Sequence, residues 1–199
     1  MKSDNRKKAG EQQPIQLPKR AWPQITIDLV TDLPESDGKT VIALFVDRLT
    51  KITHMVPCTK EITTSQYARL FVDNVFRLHG MPQVIISDRD PRFVSKFWDE
   101  LFSLLGTDLW FSTAFHPQTD GQSEVTIRVL ENFLRPYVAH RPSTWVDQLP
   151  LAEFAANNVV NVNTGYSPFY LNQGSHPLVP NTLLAKGEPK VSNEAVKSG

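Results

Sequence analysis

Cysteine is almost absent from this chain of 199 residues, which contains only Cys58. A single cysteine excludes an intrachain disulfide and any zinc site built from several cysteines. Net charge is also lacking, because 21 lysine and arginine residues balance 21 aspartate and glutamate residues. A neutral chain does not have the basic character of a domain that binds nucleic acid through charge alone. Any contact with nucleic acid must therefore be local or assisted by metal ions.

Long hydrophobic runs are missing too. No segment approaches the roughly 18 apolar residues that a membrane-spanning helix requires, and the N-terminal segment lacks the apolar stretch of a secretory signal. Hydrophobic residues nevertheless make up 40% of the chain, enough to bury a core. We predict a flexible basic tail at residues 1–20, a core domain at residues 21–180 and a flexible C-terminal tail at residues 181–199.

The hydrophobic pattern of the core predicts a mixed α/β fold. Apolar runs indicate five strands, at Gln24–Val30, Thr40–Val46, Ile52–Val56, Gln83–Ser87 and Asp108–Ser112. Apolar residues at helical spacing indicate helices at Thr63–Leu78, at Ser95–Leu105, from near Ser123 onward and at Trp145–Asn158. Short connections favour antiparallel pairing of the first three strands, and intervening helices favour parallel pairing of the last two. We therefore expect a five-stranded mixed sheet flanked by helices.

Three acidic residues occupy positions where they add nothing to a core. Asp28 interrupts the first strand, Asp88 follows the fourth strand, and Glu124 lies in the first turn of the long helix. If folding brings them together, their mutual repulsion favours the binding of a cation. Oxygen ligands suit Mg²⁺ or Mn²⁺, and such a cluster can hold two ions roughly 3.5–4 Å apart for phosphodiester chemistry.

Each acid also has a structural explanation. Asp28 and Asp88 could belong to turns, and Glu124 could complement the positive end of the helix dipole. Three other acids compete as candidates, namely Asp32, Asp47 and Asp90. Spacing alone does not choose among these acids.

Several long motifs resemble the integrase core of gypsy-type LTR retrotransposons, especially those of plants. They include WPQITIDLVTDLP, LHGMPQVIISDRDPRF, FHPQTDGQSE and WVDQLPLAEFAANN, in the order of that family, over roughly residues 20–180. The resemblance implies a ribonuclease H-like fold within the retroviral integrase superfamily. It also implies that Asp28, Asp88 and Glu124 are the catalytic acids and the metal ligands. The last two are separated by 35 residues, the spacing of that family.

The resemblance further implies a reaction and partners. Integrases of this kind process the 3′ ends of the element's DNA and join them to target DNA, with two divalent metal ions. They act as homo-oligomers on double-stranded DNA in the nucleus. Near the last acid, DNA contact is expected for four residues, namely His116, Gln118, Gln122 and Arg128. Two of them also have a structural explanation, since His116 could form a hydrogen bond within its loop and Arg128 could pair with Glu124 or Glu131.

The sequence departs from the family in two respects. Ile127 stands where the family often has asparagine, and the family's zinc module with two histidines and two cysteines is missing. We therefore expect a fragment or a truncated copy, with disintegration-type or nuclease activity instead of efficient two-ended insertion. The alternative from another class is a catalytically idle nucleic-acid-binding or interaction remnant of a decayed element. A ribonuclease H is a third interpretation, which the HPQTDGQSE motif disfavours.

Overall fold

The computed structural model describes residues 19–87, 91–106 and 142–179. Within these ranges the strands are β1 (Gln24–Val30), β2 (Val41–Asp47), β3 (Thr53–Cys58) and β4 (Val84–Ile86). The helices there are α1 (Thr64–Phe71), α2 (Arg77–His79), α3 (Pro91–Leu104), α4 (Trp145–Asn158) and α5 (Pro168–Gln173). β1 and α4 begin and end where the sequence pattern predicts.

The four strands form one mixed sheet in the order β3-β2-β1-β4. β1 pairs with β2, and β2 with β3, in antiparallel register, whereas β1 and β4 are parallel. The predicted mixture of antiparallel and parallel strands is confirmed for these residues. The fifth predicted strand, Asp108–Ser112, lies outside the described residues, so the described sheet has four strands and not the five expected.

The helix α1 starts with a capping box. Thr63 Oγ1 accepts a hydrogen bond from Gln66 N at 3.2 Å, and Gln66 Oε1 accepts one from Thr63 N at 2.9 Å. A π-helical turn at Val72–Phe76, which the apolar spacing does not predict, joins α1 to α2. The helical segment ends at Gly80, whose φ of 78° is readily adopted only by glycine.

Hydrophobic cores lie on both faces of the sheet. On one face, Ile27 shares a core with Phe97 and other residues of α1 and α3. On the opposite face, Leu44 of β2 shares a second core with Trp145 of α4. The sheet is therefore the middle layer between helices. Asp28 follows Ile27 along the pleat, so its side chain belongs to the α4 face, opposite the isoleucines as predicted.

The ends of the chain fall outside this description. Because residues 1–18 and 180–199 are not among the described residues, the predicted boundaries of the two tails stay predictions. None of the helices in the three described ranges is long and apolar enough to cross a membrane.

Candidate active site

Asp28 lies in β1, which has β2 on one side and β4 on the other. It is opposite Leu44 in the antiparallel register with β2. The residue is half-buried, and its Oδ1 accepts a hydrogen bond from Leu29 N at 2.6 Å. The carboxylate is thus carried by a paired strand, and its orientation is tied to the next peptide group.

The strand β4, which is parallel to β1, is followed in the sequence by the second predicted acid. Thr26 and Ile86 form the last described pair between β1 and β4. Ser87 follows and is buried, and Asp88 is the next residue in the sequence. Open α/β sheets bind ligands beyond the carboxyl ends of parallel strands. The described part of the sheet therefore presents Asp28 near the kind of edge where such ligands bind.

Two of the competing acids have structural roles. Asp47 is fully buried, and its carboxylate accepts hydrogen bonds from Trp22 N at 2.8 Å and from both Thr50 N and Thr50 Oγ1, at 2.8 and 2.6 Å. This carboxylate closes the turn after β2. Asp32 is exposed, has a φ of 61° and accepts a hydrogen bond from Thr31 Oγ1 at 3.1 Å. Both acids fit turns better than a metal site.

Most of the predicted site lies outside the described residues. This applies to Asp88, Asp90, Glu124, His116, Gln118, Gln122 and Arg128. The structure places Asp28, and the convergence of the three acids stays a prediction. Among the described residues, no group of three histidine, cysteine, aspartate or glutamate side chains is arranged to hold a metal ion. The carboxylate of Asp28 is a suitable ligand for the expected metal ion, since Mg²⁺ prefers carboxylate oxygen atoms.

A second polar cluster, which the sequence does not predict, joins β3, α2 and α4. His54 Nε2 lies 2.9 Å from His79 Nε2, and His54 Nδ1 lies 3.1 Å from Glu153 Oε1. The Trp22 ring stacks on the His79 ring, with centroids 3.7 Å apart and an interplanar angle of 5°. Burial, followed by repulsion from His54, lowers the pKa of His79 to about 4. This partnership between residues of β3, α2 and α4 has no local signal in the sequence.

The fold is shared with the catalytic cores of retroviral integrases. The HTLV-2 integrase catalytic core domain in complex with magnesium aligns with a TM-score of 0.56 and 18% identity, over 79% of this chain and 98% of that one. The simian T-cell lymphotropic virus intasome, in complex with a PP2A regulatory subunit, aligns with a TM-score of 0.58 and 19% identity, over 83% of this chain and 62% of that one. The BIV integrase catalytic core aligns with a TM-score of 0.53 and 17% identity, over 76% of this chain and 94% of that one. At these identities the likeness establishes the fold.

Sequence similarity then points to transposons. The chain is 39% identical over 168 residues to the transposon Tf2-3 polyprotein of Schizosaccharomyces pombe, and equally similar to the Tf2-4 polyprotein. The match covers 84% of this chain, which spans only 13% of the length of those relatives. No protein-family model matches the sequence. The chain therefore has the fold of integrase catalytic cores and is similar in sequence to a segment of transposon polyproteins, whereas the resemblance to plant elements stays a prediction.

Proposed function

We propose that the chain is an integrase catalytic core that processes the 3′ ends of DNA and transfers them to a second DNA. The observation that carries the proposal is the position of Asp28 in β1, beside the parallel strand that leads to Asp88. The integrase-core fold and the similarity to transposon polyproteins support it.

The strand register supports the meeting of two of the acids. Pairing between β1 and β4 is parallel up to Thr26 and Ile86. Two further steps in the same register would match Asp28 with Asp88. Neighbouring strands lie about 4.8 Å apart, a separation at which two carboxylates can share a cation. Glu124 is the third proposed ligand, and it is included only because it matches the family motif.

We infer that Asp28, Asp88 and Glu124 hold two Mg²⁺ or Mn²⁺ ions. Such ions, when bound, activate an attacking water or 3′-hydroxyl and stabilise the leaving oxygen of the phosphodiester. The chain's own contribution is to supply oxygen ligands and to orient them. One structural neighbour, the HTLV-2 core, is a complex with magnesium, which supports the use of a divalent ion.

Further parts of the proposal concern partners. The substrate is double-stranded DNA, at the ends of the element and at the target, and the enzyme acts in the nucleus. Contacts with DNA are proposed for His116, Gln118, Gln122 and Arg128. A homo-oligomer is proposed because the HTLV-2 core is known in dimeric and trimeric forms.

The test is metal-dependent strand transfer or nicking on a branched DNA substrate. We expect activity with Mg²⁺ or Mn²⁺, loss of activity on chelation, and at least a hundredfold decrease in Asp28→Asn, Asp88→Asn and Glu124→Gln. Asp32→Asn is the matched control, since Asp32 is an exposed acid close to Asp28 in the chain. It should retain the wild-type rate.

Two outcomes would contradict the proposal. Full activity in all three acid variants would show that these residues do not carry the chemistry. An unmodified protein that binds DNA but has no activity with either metal ion would favour the idle remnant.

A further inference from the structure

We propose that Tyr67 is a positioning residue for Asp28 and that its hydroxyl group sets the orientation of the catalytic carboxylate. The inference rests on the proposed function, because it assumes that Asp28 is a metal ligand. It concerns a residue in the hydrophobic core, on the side of the sheet away from the Asp28 side chain.

The hydroxyl group of Tyr67 lies at the backbone of the strand position that carries Asp28. Its Oη is 3.1 Å from the carbonyl oxygen of Asp28 and 3.3 Å from that of Leu44. These two residues are opposite each other in the register of β1 and β2. One phenolic proton is therefore shared between two carbonyl groups on adjacent strands.

Aromatic neighbours hold the Tyr67 ring in this position. The side chain is only 1% exposed. Its ring centroid lies 5.2 Å from that of Phe45, 5.7 Å from that of Phe93 and 5.9 Å from that of Phe97. A buried ring with neighbours on several sides has few rotamers available. The hydroxyl group is consequently fixed relative to the sheet.

A single peptide group connects the hydroxyl to the carboxylate. The carbonyl oxygen of Asp28 and the amide of Leu29 belong to the same planar peptide unit. Tyr67 donates to the carbonyl end of this unit, while the amide end donates to Asp28 Oδ1 at 2.6 Å. Because the peptide unit is planar, the hydrogen bond from Tyr67 to its carbonyl oxygen also fixes the direction of the Leu29 N–H group. The Asp28 carboxylate accepts a hydrogen bond from this N–H group and is oriented by it.

Tyr67 acts from behind the carboxylate. The ring belongs to the core formed with α1 and α3, whereas the Asp28 side chain belongs to the α4 face. The tyrosine therefore orients Asp28 without occupying the space in front of it. Groups that orient a metal ligand typically change metal affinity or activity 10–100-fold when they are removed.

The first test is Tyr67→Phe, which keeps the ring in its aromatic surroundings and removes only the hydroxyl group. Amide hydrogen exchange read by NMR without metal should show at least tenfold faster exchange at Leu29 than in the wild type. Mn²⁺ titration should show about tenfold weaker binding. The matched control is Tyr170→Phe in α5, where the side chain is partly exposed, and it should change neither quantity.

The outcomes separate this inference from the proposed function. If Asp28→Asn abolishes activity but Tyr67→Phe leaves Leu29 exchange and Mn²⁺ affinity unchanged, the positioning role is wrong and the catalytic assignment survives. If Asp28→Asn leaves Mn²⁺ affinity and activity intact, the proposed function fails before Tyr67 is considered. Weaker Mn²⁺ binding together with exchange that becomes faster at Leu29 than at the other amides of β1 supports the inference, because a general loss of stability would speed exchange along the whole strand.

Discussion

The side-chain amide of Asn157 forms two hydrogen bonds with the backbone of Thr53, 104 residues away in the chain. Its Oδ1 accepts from Thr53 N, and its Nδ2 donates to Thr53 O, both at 2.9 Å. One turn earlier in α4, Glu153 Oε2 accepts from Met55 N at 2.8 Å. The helix α4 thus supplies hydrogen-bond partners to β3, which lies at one edge of the described sheet.

This relationship predicts a large effect of Asn157→Ala. The side chain is only 3% exposed, so its removal leaves a buried N–H and a buried C=O of Thr53 without these partners. At about 1–3 kcal/mol for each of the two unsatisfied groups, we expect the free energy of unfolding to fall by about 2–6 kcal/mol. Urea denaturation followed by circular dichroism measures the change.

A matched control separates this loss from a general effect of removing an asparagine. Asn163→Ala alters an exposed asparagine near the same helix and should cost less than about 0.5 kcal/mol. Equal stability losses in the two variants would contradict the role of Asn157 at the sheet edge.

A second prediction concerns pH. The pKa of His79 is lowered from 6.5 to about 4 in the folded protein, by burial first and then by the charge of His54. Between these two values the unfolded chain binds more protons than the folded protein. The free energy of unfolding should therefore rise with pH across this window and level off above about 6.5. Below the window, the contribution is lost.

The pH prediction is checked by urea denaturation between pH 4 and pH 7. The loss of stability on acidification should be smaller in His79→Gln than in the wild type, because the variant cannot take up this proton. His54 faces His79, and Glu153 contacts the other ring nitrogen of His54. His176→Gln, which removes an exposed histidine, should follow the wild-type curve. Parallel curves for His79→Gln and the wild type would refute the prediction.

A third prediction concerns the single thiol. Burial raises the pKa of Cys58 from 9.0 to about 11, against smaller opposing effects of a hydrogen bond with the Ala43 backbone and of Lys39. At pH 8 the thiolate fraction falls roughly a hundredfold relative to an ordinary thiol, and the thiolate is the reactive form. We expect disulfide-exchange labelling to be at least about a hundredfold slower in the native protein than in concentrated urea.

The labelling reagent is an aromatic disulfide that releases a coloured thiolate when it reacts with a cysteine, so absorbance measures the rate. The signal comes from one site, since Cys58 is the only cysteine in the chain. A substitution of Lys39 by methionine offers a control, because it removes one charge near the thiol and should slow the native reaction slightly further. Equal labelling rates in the native and unfolded protein would contradict the burial argument.

Local patterns predicted much of the fold. The alternation in β1 identified the strand and the face of Asp28, because a two-residue period is a property of any strand. The predicted helix Thr63–Leu78 begins at the residue that caps α1, since a side chain that caps a helix acts on backbone groups close in sequence. The helical segment ends at Gly80, two residues beyond the predicted end at Leu78.

The polar contacts that organise the site were not predictable in this way. The bond between Tyr67 and Asp28 joins residues 39 positions apart, and the bond between His54 and Glu153 joins residues 99 positions apart. Such pairs depend on which strand and which helix meet, which hydrophobic spacing does not specify. The π-helical turn at Val72–Phe76 was missed because its apolar residues still fit an ordinary helical period.

The central claim is that Asp28, Asp88 and Glu124 form one divalent metal site. The most direct measurement is anomalous X-ray scattering from crystals of the full chain soaked in Mn²⁺. We expect an anomalous peak for a Mn²⁺ ion that is bound by carboxylate oxygens of all three acids, at about 2.0–2.3 Å from a carboxylate oxygen of Asp28. Crystals of Asp28→Asn should show no such peak. An ordered structure in which these carboxylates lie apart, or in which Mn²⁺ binds elsewhere, would contradict the account.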